Sequence, residues 1–351
     1  MNHRISRRAA ALAALGAVGW RRLAAGEVLP THVTPETLAA VRKGLDALAR
    51  MQSTDGSWMS QQDGRHYPAA MAGLAGMAFL AHGNTTTRGK YAGNIQGTVD
   101  FLVSCTEPNG LISGPGQDSG MPMHGHGFSL LFLASAFGYA KKGSKRDKLK
   151  SAIERAVRLT CEAQSGPGGW TYTPGGGDEG SVAVTQIQAL RACHNAGFLV
   201  PKSTIERAVR YVENCGETDG GICYMLAMRG SGSQPAISAA ATATLYNAGE
   251  FDAPIAERCL KYVVKHFRGV KGFNKVPGHD YYAHLYASQG FYLSGDPYWD
   301  VYYPETRDQL LALQNRGDGS WQGDHVGNVY GTAIACIVLQ LPFKFLPVFQ
   351  R

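Results

Sequence analysis

A phrase that recurs six times constrains this chain more than any other feature. An amphipathic stretch, a glutamine and a Gly-rich turn ending in an aromatic appear as Gln52-Ser-Thr-Asp-Gly-Ser-Trp58, Gln164-Ser-Gly-Pro-Gly-Gly-Trp170 and Gln314-Asn-Arg-Gly-Asp-Gly-Ser-Trp321. Weaker copies are Glu107-Pro-Asn-Gly-Leu111, Glu217-Thr-Asp-Gly-Gly-Ile222 and Arg268-Gly-Val-Lys-Gly-Phe273. Taking one glycine per turn (56, 110, 169, 221, 272 and 319), the spacings are 54, 59, 52, 51 and 47 residues. Six units of about fifty residues therefore fill residues 30–351. The repeat also explains why 44 of the 351 residues are glycine. No Gly-X-Y period exists, so the excess belongs in turns and close packings.

Each unit reads as two helices around its turn. Leu38, Val41, Leu45 and Leu48 recur at helical spacing before the first turn, and Ile153, Ala156, Val157 and Thr160 do so before the third. The helices after the turns are almost wholly apolar or small, as in 69–81, 128–140, 181–197 and 236–249. Gly197 and Gly249 suit left-handed C-caps, and Pro201 and Pro254 suit the start of the next helix. No alternating β segment competes. One amphipathic and one apolar helix per unit imply two concentric layers, the apolar helices inside. The expected fold is all-α, an (α/α)6 toroid of six helical hairpins with its Gly-rich turns at one mouth. An open solenoid of helical pairs is the alternative, and it needs fewer glycines and more uniform repeats.

The formal charge of +7 invites a nucleic-acid reading. Residues 1–26 have a basic start, an apolar run from Ala9 to Trp20 and small residues at Leu23-Ala24-Ala25, the layout of an export signal. A frayed amphipathic helix is the other reading of that segment. Its Ser6-Arg7-Arg8 start resembles a twin-arginine signal, which implies export to the periplasm and leaves 27–351 as a single toroid domain. The leader holds five arginines and no acid, so the remainder has 29 basic against 27 acidic groups. A net +2 with scattered arginines is no footprint for nucleic acid. No apolar run is long enough to span a membrane as a helix. Seven cysteines occur without a C-x-x-C pair, so they read as small buried hydrophobes or, in an exported chain, as up to three disulfides.

The Gln…Gly-Ser/Gly-Trp phrase resembles the repeat of squalene–hopene cyclases and related terpenoid cyclases. Segments 168–182 and 330–351 look like bacterial exported proteins named for prenyltransferase and squalene-oxidase repeats. The resemblance covers nearly all of the mature chain and implies an α/α toroid shared with protein prenyltransferase β-subunits. The chemistry of those enzymes does not carry over. D-x-D-D is absent, no Asp-Asp pair occurs, and Asp280-Tyr281-Tyr282 has tyrosine where the prenyltransferase zinc thiolate stands. The physical role of the phrase is structural: glutamine satisfies freed backbone groups at helix ends, and tryptophan seals neighbouring helices.

With the turns at one mouth, polar residues near them become neighbours. Asp178 and Glu179 precede an inner helix, where acids cap the end and offset its dipole or, aimed into the funnel, form a general acid/base pair. His124 and His126 lead into another inner helix, but two histidines fall short of a stable zinc site, so no metal is assigned. Asp280 and His284 stand one helical turn apart, either as an intrahelical pair or as a dyad in which Asp orients the imidazole. His66, Asp324 and His325 hold equivalent positions after their turns. Asp178, Glu179, Asp280 and His284 are the catalytic candidates. His66, His126, His325, Tyr281, Tyr282 and Tyr286 are the ligand-binding candidates. His66, His126, Asp178, Asp280, His284 and His325 are expected to share one site.

Residues 281–303 contain nine aromatics, and Tyr281, Tyr282 and Tyr286 follow a mouth turn. An aromatic funnel suits an apolar or isoprenoid-like ligand, and no cofactor is expected. A non-catalytic binding or scaffold toroid and a glycan lyase or hydrolase on an (α/α)6 barrel are the alternatives.

Overall fold

The repeat becomes a closed double ring in the computed structural model, which describes residues 29–59, 66–267 and 279–347. The leader and the fifth repeat's turn lie outside these residues. Twelve α-helices and no strand occur among the described residues. In chain order the pairs are α1 (Pro35–Met51) and α2 (Pro68–Ala81), α3 (Ala92–Ser104) and α4 (Pro122–Phe137), then α5 (Ser144–Glu162) and α6 (Gly180–Asn195). They continue with α7 (Lys202–Asn214) and α8 (Pro235–Ala248), α9 (Pro254–Phe267) and α10 (Asp280–Ser294), and α11 (Asp296–Leu313) and α12 (Asn328–Gln340).

The even-numbered helices form the inner ring. Each packs on the next, α2 on α4 through to α10 on α12, and α12 returns to α2. Every residue of α2 is buried, as expected of a helix covered on all faces. α1 buries only one stripe, with Leu38, Val41, Leu45 and Leu48 inward, and α11 and α12 both pack against it. Neighbouring inner helices approach closely at small residues: a Cβ on Gly73 of α2 would lie 2.6 Å from the Phe128 carbonyl carbon of α4.

The turns lock one unit onto the next. Gly56, Gly110, Gly168, Gly220 and Gly319 have φ of 92°, 100°, 105°, 93° and 80°, the left-handed region that glycine enters freely. In the third and fourth units this glycine stands one residue before the one counted in the sequence. A Cβ on Gly56 would lie 2.2 Å from the Gly97 carbonyl oxygen on α3, and one on Gly319 would lie 2.9 Å from that of Lys43 on α1. The sixth turn thus seats on the first outer helix, which closes the ring. Glutamine repeats the same geometry. Gln52 Nε2 donates to the carbonyls of Gly56 and Asn94, Gln164 to those of Gly168 and Thr204, and Gln314 to those of Gly319 and Ala40. Trp58, Trp170 and Trp321 are fully buried and donate their indole N–H to the Leu48, Thr160 and Leu310 carbonyls.

One boundary differs from the sequence reading. The second inner helix starts at Pro122 rather than at residue 128, so His124 and His126 stand in its opening turns. Proline lacks the N–H that a first helical residue leaves unbonded, and its fixed φ suits the position. Gly125 and Gly127 are accommodated because α4 runs against Ala69 of α2 and Thr185 of α6. All seven cysteines are free thiols. No helix among the described residues is long and apolar enough to cross a membrane.

Candidate functional site

A cavity of about 520 Å³ opens where the first turns of the inner helices converge. All six contribute: Met71 and Leu74 from α2, His124 and Phe128 from α4, Ser181 from α6, Ile237 from α8, Tyr282 from α10 and Tyr330 from α12. Tyr67, Tyr172, Tyr224, His279 and His325 enter from the segments just before those helices. The lining is chiefly aliphatic and aromatic.

One polar patch of the lining centres on Ser181. The Ser181 hydroxyl donates to Glu179 Oε2 at 2.6 Å, and that carboxylate also accepts the N–H groups of Ser181 and Val182 at 2.7 and 3.1 Å. Glu179 is therefore both the cap of α6 and the anchor of the patch. Its side chain is buried, and burial pushes the carboxyl above the usual range against the lowering effect of the Ser181 bonds. His124 Nε2 lies 3.3 Å from the Ser181 hydroxyl oxygen. Burial drives His124 down to about 4, so the ring is neutral at neutral pH. Since Ser181 gives its hydrogen to Glu179, His124 donates from Nε2. The Tyr172 and Tyr224 hydroxyls hydrogen-bond to each other. Tyr282 reaches from α10 to donate to the Ser181 carbonyl at 3.2 Å.

Two further acids stand at inner-helix N-termini. Asp118 Oδ1 accepts the Ala69 N–H at the start of α2 at 3.2 Å, and its Oδ2 accepts the Gly114 N–H at 2.9 Å. Asp324 accepts the N–H groups of Asp280 and Tyr281 at the start of α10, both at 3.0 Å. Asp118 and Asp324 have φ of 45° and 44°, a conformation uncommon outside glycine and shared by these two repeat-related caps. Burial raises both carboxyls, Asp118 to about 6. Along the ring, α2, α6 and α10 are alternate members, and each has a carboxylate on its positive end.

Of the residues singled out in the sequence, His124, His325 and Tyr282 line the cavity, and Glu179 stands one hydrogen bond behind it. The structure places the rest elsewhere. Asp178 Oδ1 accepts the Leu226 N–H at 3.0 Å and ties down the segment before α8. His126 is fully buried, its Nδ1 accepting the Ile112 N–H at 3.1 Å and its Nε2 2.9 Å from the Thr160 hydroxyl, so its ring ties the segment after the second turn to α5. His66 is exposed beside Tyr67. Asp280 and His284 share the outer face of α10, where His284 Nδ1 meets the Tyr302 hydroxyl of α11 at 2.8 Å. Tyr281 is buried outside the lining, and Tyr286 packs 4.8 Å beneath Tyr282. Two turns further down, Gln188 of α6 donates to Gln289 of α10 at 2.5 Å across the ring.

Sequence reading missed Tyr67, Phe128, Tyr172, Ser181, Tyr224 and Tyr330 as lining. The usable signal was position: each stands in, or shortly before, the first turns of an inner helix, as Tyr282 does. Among the described residues no cluster of three or more His, Cys, Asp or Glu could hold a metal ion.

Neither a family model nor a curated protein matches the sequence. Solved structures do match its fold. A type II terpene cyclase, MstE from Scytonema, in complex with geranylgeranyl dihydroxybenzoate aligns over 89% of this chain and 98% of its own, with 14% identity and a TM-score of 0.60. A family 76 glycoside hydrolase from a bovine Bacteroides thetaiotaomicron strain aligns over 89% of this chain and 78% of its own, with 8% identity and a TM-score of 0.65. A protein from Actinoplanes aligns over 88% and 99% of the two chains, with 15% identity and a TM-score of 0.56. This chain has the α/α-toroid fold shared by terpenoid cyclases and family 76 glycoside hydrolases.

Proposed function

We propose that this protein is an exported toroid that binds an apolar, isoprenoid-like molecule in the cavity at its mouth. The observation that carries the reading is the cavity itself, about 520 Å³ with six Phe or Tyr side chains in its lining. That volume falls within the range of small-molecule pockets, and an apolar lining releases water when a matching chain enters. The aromatic faces also suit the π-electrons of a polyene and any positive charge developing on it. The basic and apolar leader supports export. The fold it shares with a cyclase bound to a geranylgeranyl compound is consistent with the reading.

Glycoside hydrolysis fits less well. It requires two carboxyl groups flanking the scissile bond, whereas no described residue lining the cavity is Asp or Glu. Any proton chemistry would draw on Glu179 through the Ser181 hydroxyl, since that acid is hydrogen-bonded to a lining side chain.

Calorimetric titration with geranylgeraniol tests the reading. Saturable one-to-one binding with a negative heat-capacity change is expected, because apolar surface is buried. Leu74→Trp, which fills the cavity from α2, should abolish it. Folded wild-type protein that takes up no geranylgeraniol would sink the proposal.

A further inference from the structure

We infer that the cavity selects a neutral, hydroxyl-bearing ligand, an isoprenoid alcohol, over the phosphorylated form of the same chain. This rests on the apolar-ligand reading above and adds the chemistry of the head group.

The first argument is charge. Helix N-termini that face a mouth ordinarily favour anions. Here three of the six inner helices hold a carboxylate at that end: Asp118 on α2, Glu179 on α6 and Asp324 on α10. A phosphate entering the mouth meets acids already occupying the positive ends it would seek. No described residue of the lining is Lys or Arg, and His124, the ring nearest the polar patch, is held neutral by burial. Among the described residues, the lining therefore offers an anion no Lys or Arg to pair with.

The second argument is hydrogen bonding. The polar patch is not a scatter of unrelated atoms. Glu179 accepts from Ser181, Ser181 accepts from His124, and the Tyr172 and Tyr224 hydroxyls pair beside them. Phenol hydroxyls and imidazole offer both donors and acceptors, which complements an alcohol that gives one hydrogen and accepts another. A pure hydrocarbon would leave these groups facing an apolar surface, at the cost of whatever water they held. The rest of the lining, with Met71, Leu74, Phe128 and Ile237, takes the chain.

The test is parallel calorimetric titration of the full chain with geranylgeraniol, geranylgeranyl diphosphate and the hydrocarbon in which hydrogen replaces the hydroxyl. Geranylgeraniol is expected to bind at least about tenfold tighter than either. The double variant Ser181→Ala/Tyr224→Phe should lose about tenfold for the alcohol and stay within about twofold for the hydrocarbon. Glu179→Gln, which keeps an acceptor and removes the charge, should narrow the gap between diphosphate and alcohol by about tenfold. Diphosphate binding as tightly as the alcohol overturns the charge argument. Hydrocarbon binding as tightly as the alcohol overturns head-group recognition and leaves the apolar-ligand reading standing. If none of the three probes binds, that underlying reading fails and this inference fails with it.

Discussion

At the outer edge of each hairpin and at the inner edge a few residues later, the same repeated unit behaves in opposite ways. On the outside, Gln52, Gln164 and Gln314 each bond their own turn and the next outer helix, and Trp58, Trp170 and Trp321 each bond the helix behind. On the inside, the residues at the N-caps of the inner helices are Tyr67, Met121, Glu179, Gln234, His279 and Gly327, all different. Only Glu179 caps its helix with its own side chain. Four of the others, on α2, α4, α8 and α10, are relieved of that duty. Pro68, Pro122 and Pro235 remove an N–H at the start of α2, α4 and α8, while Asp118 and Asp324 cap α2 and α10 from a neighbouring unit. Tyr67, Met121, Gln234 and His279 line the cavity instead. Stability in this molecule is repeated, and the cavity lies where the repeat varies.

That contrast sets the order of expected mutational effects. Trp170→Ala removes a fully buried plate and its bond to Thr160, and should cost roughly 3–5 kcal/mol in urea unfolding. Affinity of the remaining folded protein for geranylgeraniol should stay within about twofold. A comparable loss of affinity would mean that the outer seam also shapes the cavity.

Next come two buried titrating groups with opposite signs. Burial raises Asp118 to about 6, so the folded state binds its proton more tightly than the unfolded chain does. Its contribution is greatest below about pH 4 and declines as pH rises through 6, by about 3 kcal/mol in all. His126 is held down to about 4, so its contribution is full above about pH 6.5 and is lost as pH falls toward 4. Urea unfolding at pH 4–7 should show Asp118→Asn removing a falling slope and His126→Gln removing a rising one. Identical slopes in both variants would contradict the burial of these groups.

Gln164→Ala strips two bonds from buried carbonyls, and should cost about 1–3 kcal/mol. The smallest effect belongs to the inner edge. Gln234→Ala, at an exposed N-cap that makes no capping bond, should change stability by less than about 0.5 kcal/mol. A cost near that of Gln164→Ala would erase the distinction between the two edges.

The toroid was readable from the sequence because turn spacing and helix polarity are local quantities that add up to a ring. Its closure, by Gln314 on Ala40 and Gly319 against Lys43, follows the pattern that Gln52 and Gly56 set in the first unit. The site was less readable, and α10 shows why. Asp280 and His284 share one face, and Tyr282, Tyr286 and Gln289 share another. Spacing identifies both sets, but an inner helix is buried all round, so no polar stripe tells which face meets the ring axis. The turned-out face holds His284 against Tyr302, and the turned-in face holds the tyrosines. His126 was masked differently: its two bonds, to Ile112 and Thr160, join residues 14 and 34 positions away. Tyr172 and Tyr224 sit in Gly-rich connections with no periodicity to assign them an inward direction.

Native mass spectrometry of the protein in an equimolar mixture of geranylgeraniol and α-1,6-mannotriose sets the two chemistries found on this fold against each other. One geranylgeraniol adduct per chain is expected, absent from Leu74→Trp. A mannotriose adduct, or a geranylgeraniol adduct that survives Leu74→Trp, would contradict the assignment of the cavity.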